Sequence, residues 1–216
     1  MTARLLYRYR TALLIAACGL SAIDAMAEGQ GLKPPTDPAT LATASSVDPR
    51  WVELEHSRWV ADGRNDAPRK VYVFTDLNCP YCTKLWSDAR PWVASGKVQL
   101  RHVIVGVLTA TSEGKAAAIL SGQDPVAKLA AYEGSHAFSV ARMLAGGQPH
   151  PVEDASLAPM SVIPTRLQAD LAANVRLMRS LGIRATPGIA SIGPDGKLHA
   201  QQGLRPQDLV TVFGSP

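Results

Sequence analysis

Two cysteines stand two residues apart in the sequence Cys79-Pro80-Tyr81-Cys82. The apolar run before them predicts a strand and Pro80 suits a first helical turn, so the pair is expected where a strand ends and a helix begins. The unpaired N–H groups of a helix N-terminus favour a thiolate. We therefore expect an exposed Cys79 with a depressed pKa that attacks disulfides, and a buried Cys82 that resolves the mixed disulfide.

The residues around the cysteines are expected to tune this chemistry. Pro80 has no N–H and a fixed φ, so it should stiffen the loop and lower the number of donors aimed at the sulfur. Tyr81 is expected at the exposed edge of the motif, where it can contact a substrate chain. Asp76 has three possible roles: it caps the helix, it tunes the thiol, or it is a solvated acid at the end of the strand.

The dipeptide Thr186-Pro187 is the second element of the candidate site. A proline after Ala-Thr and just before a strand favours a cis peptide bond, with an ordinary trans proline as the alternative. In a thioredoxin-like fold such a turn lies beside the cysteine pair. The Thr186 backbone is then expected to pair with an extended substrate segment, and its hydroxyl to reach the Cys79 sulfur.

A close cysteine pair has two other uses in proteins. Zinc needs two further ligands, and the sequence offers only Cys18 and five scattered histidines. A structural disulfide would close a very small loop and therefore gain little. The sequence contains no G-x-S-x-G, Walker or HExxH motif. Redox exchange through the two sulfurs is therefore the favoured chemistry.

The patterns around these motifs predict an α/β sheet with a helical insertion. Strands are expected at 71–74, 98–107, 189–192 and 198–202, the last two as a hairpin. Helices are expected at 51–60, from 80 to near 91, and at 116–120, 126–132, 136–144, 165–181 and 205–213. A proline-rich loop is expected at 146–164.

The composition excludes several classes of protein. A chain of 216 residues with 46% hydrophobic residues fits one folded domain and excludes a disordered or collagen-like chain. The formal charge of +4 is too small and too scattered to indicate nucleic-acid binding. Three cysteines are too few for a disulfide-stapled scaffold.

The first 27 residues have the order of a secretory signal peptide. Their three parts are a basic start (Arg4, Arg8 and Arg10), a short apolar run (11–22) and a small-x-small cleavage site (Ala25-Met26-Ala27). The apolar run is short for a membrane anchor. We expect export with cleavage near Ala27, with lipidation of Cys18 and membrane anchoring as the alternative. Cleavage after Ala27 leaves Cys79 and Cys82 as the two cysteines of the exported chain, in an oxidising compartment.

The sequence resembles the thioredoxin-fold periplasmic disulfide isomerases from about residue 51 to residue 214. The resemblance lies in the stretches 59–63, 71–76, 79–82, 89–93, 95–100 and 116–120, and extends to 186–187 and 203–204. It implies a thioredoxin-like fold with a helical insertion at about 112–182. It also implies that Cys79 attacks, that Cys82 resolves, and that Thr186 and Pro187 form the facing loop.

The same resemblance implies a place in the cell. Members of this family isomerise wrong disulfides of exported proteins and reduce sulfenylated cysteines to thiols. They carry no organic cofactor and receive electrons from a membrane thiol reductase. The implied partners are exported substrate proteins, held through mixed disulfides, and such a reductase.

The expected organisation is a signal peptide (1–27), a flexible linker (28–50), a linker helix (51–66) and a thioredoxin-like catalytic domain (67–216). The family carries an N-terminal dimerisation domain before the linker helix. The segment 28–50 is short and rich in Pro, Ala, Thr and Ser, as a linker is. A monomer without the family's apolar dimer cleft is therefore expected.

Three functions are compatible with these residues. The favoured one is an oxidoreductase that works in the reduced state as a disulfide isomerase or reductase. The second is a monomeric disulfide donor that works in the oxidised state, and the two differ in redox potential and partner rather than in site residues. The third, of a different class, is a holdase-type binding module for unfolded exported proteins.

Overall fold

The structure, a computed structural model, describes residues 47–153 and 155–216. The expected signal peptide, Cys18 and most of the expected linker at 28–50 lie outside these residues. In the part described, the chain forms one five-stranded mixed sheet with helices packed on both of its faces. No helix in that part is both long and apolar enough to cross a lipid bilayer.

The sheet has the spatial order β1-β3-β2-β4-β5. Its strands are β1 (Trp59–Asp62), β2 (Arg69–Thr75), β3 (Val98–Ile104), β4 (Gly188–Ile192) and β5 (Leu198–Gln202). Strands β2 and β3 are parallel, and the other neighbouring pairs are antiparallel. Central strand β2 is apolar along most of its length because helices cover both faces of the sheet.

Seven α-helices accompany these strands in the described residues. They are α1 (Pro49–His56), α2 (Pro80–Asp88), α3 (Arg90–Ala94), α4 (Ser112–Leu120), α5 (Pro125–Ala145), α6 (Thr165–Ser180) and α7 (Leu209–Phe213). On one face, Val71 and Val73 of β2 pack with α2, α3 and α7. On the other, Tyr72 and Phe74 pack with α1 and α6. Helices α4 to α6 lie between β3 and β4, so the α/β class and the helical insertion are confirmed.

The helix expected at 51–60, and its extension as a linker helix over 51–66, is wrong beyond His56. The Ser57 hydroxyl donates to the Leu54 carbonyl at 2.8 Å and ends α1. Residues 59–62 form strand β1, which pairs antiparallel with β3 and buries Val60. Pairing with a distant strand outweighs the helical spacing of the tryptophans in this segment.

Three other boundaries differ from the prediction. The helices expected at 126–132 and 136–144 form the single helix α5, which continues through Gly134 because it packs there against the Trp86 ring. The strand expected at 98–107 ends at Ile104, and the next residues form a loop. The helix expected at 205–213 begins with a 3-10 turn, Pro206–Asp208.

The loop after β3 is held by Asp76, which lies in the turn that follows β2. The Asp76 carboxylate is fully buried and accepts four hydrogen bonds. Its Oδ2 accepts from the Val107 N–H at 2.7 Å and the Leu108 N–H at 2.9 Å. Its Oδ1 accepts from the Asn78 N–H at 2.9 Å and the Ser112 hydroxyl at 2.8 Å. The predicted solvated acid and helix cap are therefore wrong, since Asp76 instead satisfies buried donors.

The next two residues fix further segments to the same turn. The Asn78 side-chain amide donates to the Thr109 and Thr111 hydroxyls at 2.6 and 2.7 Å. The Asn78 carbonyl accepts from the Val152 N–H at 2.8 Å, and the Leu77 carbonyl accepts from the Tyr132 hydroxyl at 2.8 Å. We call residues 76–78 the β2 turn. It joins the loop after β3, helix α5 and the loop after α5 directly before the cysteine pair.

Replacing the Asp76 carboxylate should therefore destabilise the whole domain. In Asp76→Asn, the amide must turn its Nδ2 toward backbone or hydroxyl donors, which leaves buried donors unpaired. We expect a loss of about 2–4 kcal/mol in the free energy of unfolding, measured by urea denaturation of the reduced protein. The control is Asp88→Asn, whose carboxylate forms a partly exposed ion pair with Lys84 and should cost less than about 1 kcal/mol. Equal losses in the two variants would contradict this role of Asp76.

Candidate functional site

The cysteine pair lies where strand β2 passes through its turn into helix α2. Cys79 is the N-cap residue of α2 and Pro80 occupies its first turn. The Cys79 carbonyl accepts from the Cys82 N–H at 3.0 Å, which sets the second cysteine one turn into the helix. Tyr81 projects outward with 49% of its surface exposed. Both cysteines are thiols in this structure.

The loop of Thr186 and Pro187 faces this pair. The peptide bond between them is cis, as predicted. The Cys79 thiol donates to the Thr186 carbonyl oxygen across a sulfur–oxygen distance of 3.3 Å. The structure thus brings together all six predicted site residues, the others being Pro80, Tyr81, Cys82 and Pro187.

Cys79 is less exposed than the sequence suggests. It retains 4% of its surface, against 2% for Cys82, because the facing loop covers it. The part of Cys79 that stays open faces a groove. A reacting sulfur must therefore enter along that groove.

Hydrogen bonding lowers the pKa of Cys79 to about 7. The largest cause is the hydrogen bond with the Cys82 side chain. Hydrogen bonds from the Thr186 side chain and from the N–H groups of Cys82 and Tyr81 lower the pKa further, whereas burial raises it. The depressed pKa is as predicted, but the partner thiol contributes more than the helix N-terminus. Burial, the largest cause at Cys82, raises the pKa of that thiol well above its usual value. At pH 7 Cys79 is therefore about half thiolate, whereas Cys82 keeps its proton.

The thiolate absorbance of the reduced protein should rise with a midpoint near pH 7, since Cys79 is the thiol of the pair that titrates there. In Cys82→Ala the midpoint should move up toward the ordinary thiol value of about 8.5, because the largest stabilising hydrogen bond is lost. The lowered pKa also stabilises the reduced fold. This contribution is fully present above the unfolded-state pKa and is lost as the pH falls through 7. An unchanged midpoint in Cys82→Ala would contradict the assigned cause.

Glu133 of helix α5 is a buried acid beside this pair that the sequence analysis does not single out. It is fully buried, and its Oε2 accepts a hydrogen bond from the Thr83 hydroxyl at 2.6 Å. Its Oε1 contacts no donor among the described residues. Glu133 follows the apolar Leu129 by four residues, so both lie on the same face of the helix. An acidic residue on an apolar face is the signal that could have identified it.

Burial raises the pKa of Glu133 to about 7. The Thr83 hydrogen bond and the charges of His136 and Arg90 oppose this rise, whereas a thiolate at Cys79 adds to it. The Glu133 charge in turn raises the pKa of Cys82. Near neutral pH this carboxyl group can both accept and release a proton next to the buried thiol.

Glu133→Gln should stabilise the reduced protein at high pH only. A raised folded-state pKa costs nothing below the unfolded value of 4.5, and the cost grows from there to pH 7 and then stays constant. We expect a gain on the order of 3 kcal/mol at pH 8 and almost none at pH 4.5, measured by urea denaturation. The exposed Glu53→Gln is the control and should change little at either pH. A loss of stability at pH 8 would show that the ionised carboxylate is structurally required.

Two grooves flank the Cys79–Thr186 contact. We call the first the arginine groove, and its volume is about 650 Å³. It is lined by Cys79, Pro80, Tyr81, Val107, Leu108, Pro149, His150, Pro151, Met178, Arg179, Arg184, Ala185 and Thr186. The second is lined by residues of α2, the facing loop and the segment 201–208, and we call it the β5 groove. In the described residues, no three His, Cys, Asp or Glu side chains are grouped as metal ligands.

In sequence, the chain is similar to two thiol:disulfide interchange proteins. The chain is 42% identical over 175 residues to the thiol:disulfide interchange protein DsbG of Pseudomonas aeruginosa, covering 81% of this chain and 62% of that protein. It is 38% identical over 163 residues to DsbG of Escherichia coli, covering 76% and 59% respectively. The chain therefore spans about three fifths of the length of these relatives. No protein-family model matches it.

Solved structures with the same fold are thioredoxin-like. The catalytic domain of Proteus mirabilis ScsC has a TM-score of 0.56 at 20% identity and covers 76% of this chain and 93% of its own. A periplasmic thioredoxin-like protein from Salmonella enterica serovar Typhimurium has a TM-score of 0.54 at 17% identity, covering 77% and 94%. At such identities the likeness shows the fold alone.

Proposed function

This chain carries a DsbG-like domain of the thioredoxin fold, and on that premise we propose that it is a periplasmic thiol–disulfide oxidoreductase. It acts in the reduced state, as a disulfide isomerase and reductase of exported proteins. The observation that carries the proposal is the unequal pair of thiols. Cys79, with a pKa near 7, opens into a groove, and Cys82 stays protonated behind it.

Catalysis begins with the Cys79 thiolate. It attacks one sulfur of a substrate disulfide, a mixed disulfide forms, and the other substrate sulfur leaves as a thiolate that takes a proton from solvent. That substrate thiolate can instead attack a second disulfide of the same substrate, which frees another substrate sulfur as a thiolate. When this second thiolate attacks the mixed disulfide, Cys79 leaves as a thiolate and the substrate has been isomerised. The Thr186 backbone supports the substrate strand during these steps.

Resolution gives the reductase outcome. Cys82 passes its proton to Glu133, attacks the Cys79 sulfur and closes the Cys79–Cys82 disulfide, and the substrate leaves as a thiol. On a sulfenylated cysteine, Cys79 attacks the sulfenic sulfur and hydroxide leaves as water after protonation, which gives the same mixed disulfide. Each reduction takes two electrons from the dithiol, and a membrane thiol reductase returns them. The reaction needs no organic cofactor, since the electrons move between sulfur atoms.

The position in the cell follows from the same premise. The signal peptide expected at 1–27 would place the domain in the periplasm, where its substrates acquire disulfides. The similarity to DsbG supports the isomerase and reductase direction over a disulfide donor. A thiol poised for attack supports an oxidoreductase over a holdase. The domain limits and the monomer remain predictions.

The proposal predicts a mostly reduced Cys79–Cys82 pair in the cell. Acid quenching followed by thiol alkylation should show the wild type as a dithiol. Cys82→Ser should accumulate adducts of higher mass that disappear on reduction, because resolution is lost while attack persists. Cys79→Ser is the matched control and should form none.

Purified proteins complete this test. Cys79→Ser should lose all reductase and isomerase turnover, at least a thousandfold, as expected when the attacking sulfur is removed. A mostly oxidised pair in the cell would indicate a disulfide donor. Suppression of substrate aggregation that survives in Cys79→Ser, without any turnover in the wild type, would indicate a holdase.

A further inference from the structure

The arginine groove begins at Cys79 and extends away from the Thr186 loop. Its walls carry apolar side chains that are open to solvent, among them Tyr81, Val107 and Leu108, the last two with 41% and 45% of their surface exposed. Pro149 and Pro151 extend this apolar lining. An extended segment of a substrate protein can therefore bury apolar groups there.

The charged side chains that line this groove in the described part of the chain are cationic. The groove lining includes the exposed side chains of Arg179 and Arg184 and also His150, but no aspartate or glutamate. Neither arginine forms an ion pair within residues 47–153 and 155–216. Among the described residues, these two positive charges therefore have no acidic partner, and they line the groove that opens at Cys79.

The β5 groove on the other side of Thr186 has the opposite character. Its cations are Lys84 and Arg205, and each is paired within the same groove. Lys84 lies 2.7 Å from the Asp88 carboxylate, and Arg205 lies 2.7 Å from Asp208. A substrate strand that crosses the site thus meets unpaired positive charge on one side of its cysteine only.

The walls of the arginine groove are held in place before a substrate arrives. The N–H groups of Val107 and Leu108 are bonded to Asp76, and the Val152 N–H is bonded to the Asn78 carbonyl. Because these segments are fixed by buried groups, binding does not have to order them. The groove can therefore discriminate between substrates by charge.

Strand addition would set the substrate along this charge. No described residue accepts a hydrogen bond from the Thr186 N–H, so this group is open to a substrate carbonyl. A strand paired there runs past Arg184, two residues earlier in the loop. Its side chains on that side of the reacting cysteine then lie over the arginines.

We propose that the arginine groove selects substrate segments that carry acidic side chains on one side of the reacting cysteine. The occupant is an extended segment of an exported protein, with apolar residues near the cysteine and aspartate or glutamate about two residues away. This proposal rests on the proposed function and names the substrate class of the same site.

The test uses the reduced full-length protein and five synthetic peptides. Each peptide has one cysteine in a mixed disulfide with 2-mercaptoethanol, which is uncharged. Two carry a pair of aspartates before or after the cysteine, two carry lysines at the same places, and one is neutral. Single-turnover reduction is followed by acid quench and chromatography.

At low salt we expect one of the two aspartate peptides to react ~5–10-fold faster than the lysine peptide of the same arrangement, as two partly exposed charge pairs allow. The opposite arrangement should differ less than about twofold, since its flank lies over the β5 groove. At about 0.5 M NaCl the preference should fall toward unity.

One double variant and one single control variant test whether the two arginines cause the preference. Arg179→Gln combined with Arg184→Gln should abolish the preference and leave the rate for the neutral peptide within about twofold. Arg176→Gln is the control. Arg176 is exposed on helix α6, as Arg179 is, but it lines a separate concavity with Glu53 and Asp170. It should retain the preference.

The outcomes separate the two proposals. Equal rates for aspartate and lysine peptides, or a preference that survives in Arg179→Gln/Arg184→Gln, would overturn the substrate class while turnover of the neutral peptide upholds the oxidoreductase. If no peptide is reduced, the proposed function fails and the substrate class fails with it. If the double variant does not fold, the salt dependence and the peptide arrangement in the wild type decide the question.

Discussion

The four hydrogen bonds to the buried Asp76 carboxylate are the constraint on which the rest of the site depends. They hold the loop after β3 against the end of the central strand, and Asn78 holds the loop after α5 in the same place. A carboxylate can accept from four donors at once, and an ionised group in the interior is tolerated when its lone pairs are satisfied. The chain therefore reaches Cys79 in a turn whose neighbours are already fixed.

The proposed redox chemistry depends on a difference in pKa between the two thiols that follow this turn. Cys79 lies at the surface end of α2 and receives hydrogen bonds, whereas Cys82 lies one turn deeper and is desolvated. Glu133 comes from the helical insertion and bonds Thr83, the residue after the deeper thiol, through one oxygen, while its other oxygen has no partner among the described residues. The inserted helices thus contribute a buried carboxyl group with a pKa near 7 to a site built at the strand–helix junction.

Charge distinguishes the two grooves on either side of the reactive sulfur. On the α6 side no described acidic residue pairs with Arg179 or Arg184, and on the β5 side each cation is paired with a neighbouring aspartate. The apolar lining of the first groove comes from the loops held by the β2 turn. The same buried polar contacts that stabilise the fold thereby shape the surface that would recognise a substrate.

The α/β class, the helical insertion, the cysteine pair at a helix start and the favoured cis peptide bond before Pro187 could all be predicted from the sequence. These features follow from short-range rules, namely residue periodicity, helix-start preferences and the properties of proline. Other features follow from no local pattern: residues 59–62 form an edge strand, Asp76 is buried, Cys82 is the main cause of the lowered pKa at Cys79, and Glu133 is buried with a raised pKa. Each of these depends on contacts between residues far apart in the chain, and burial and pairing across such distances, rather than local pattern, set their energies.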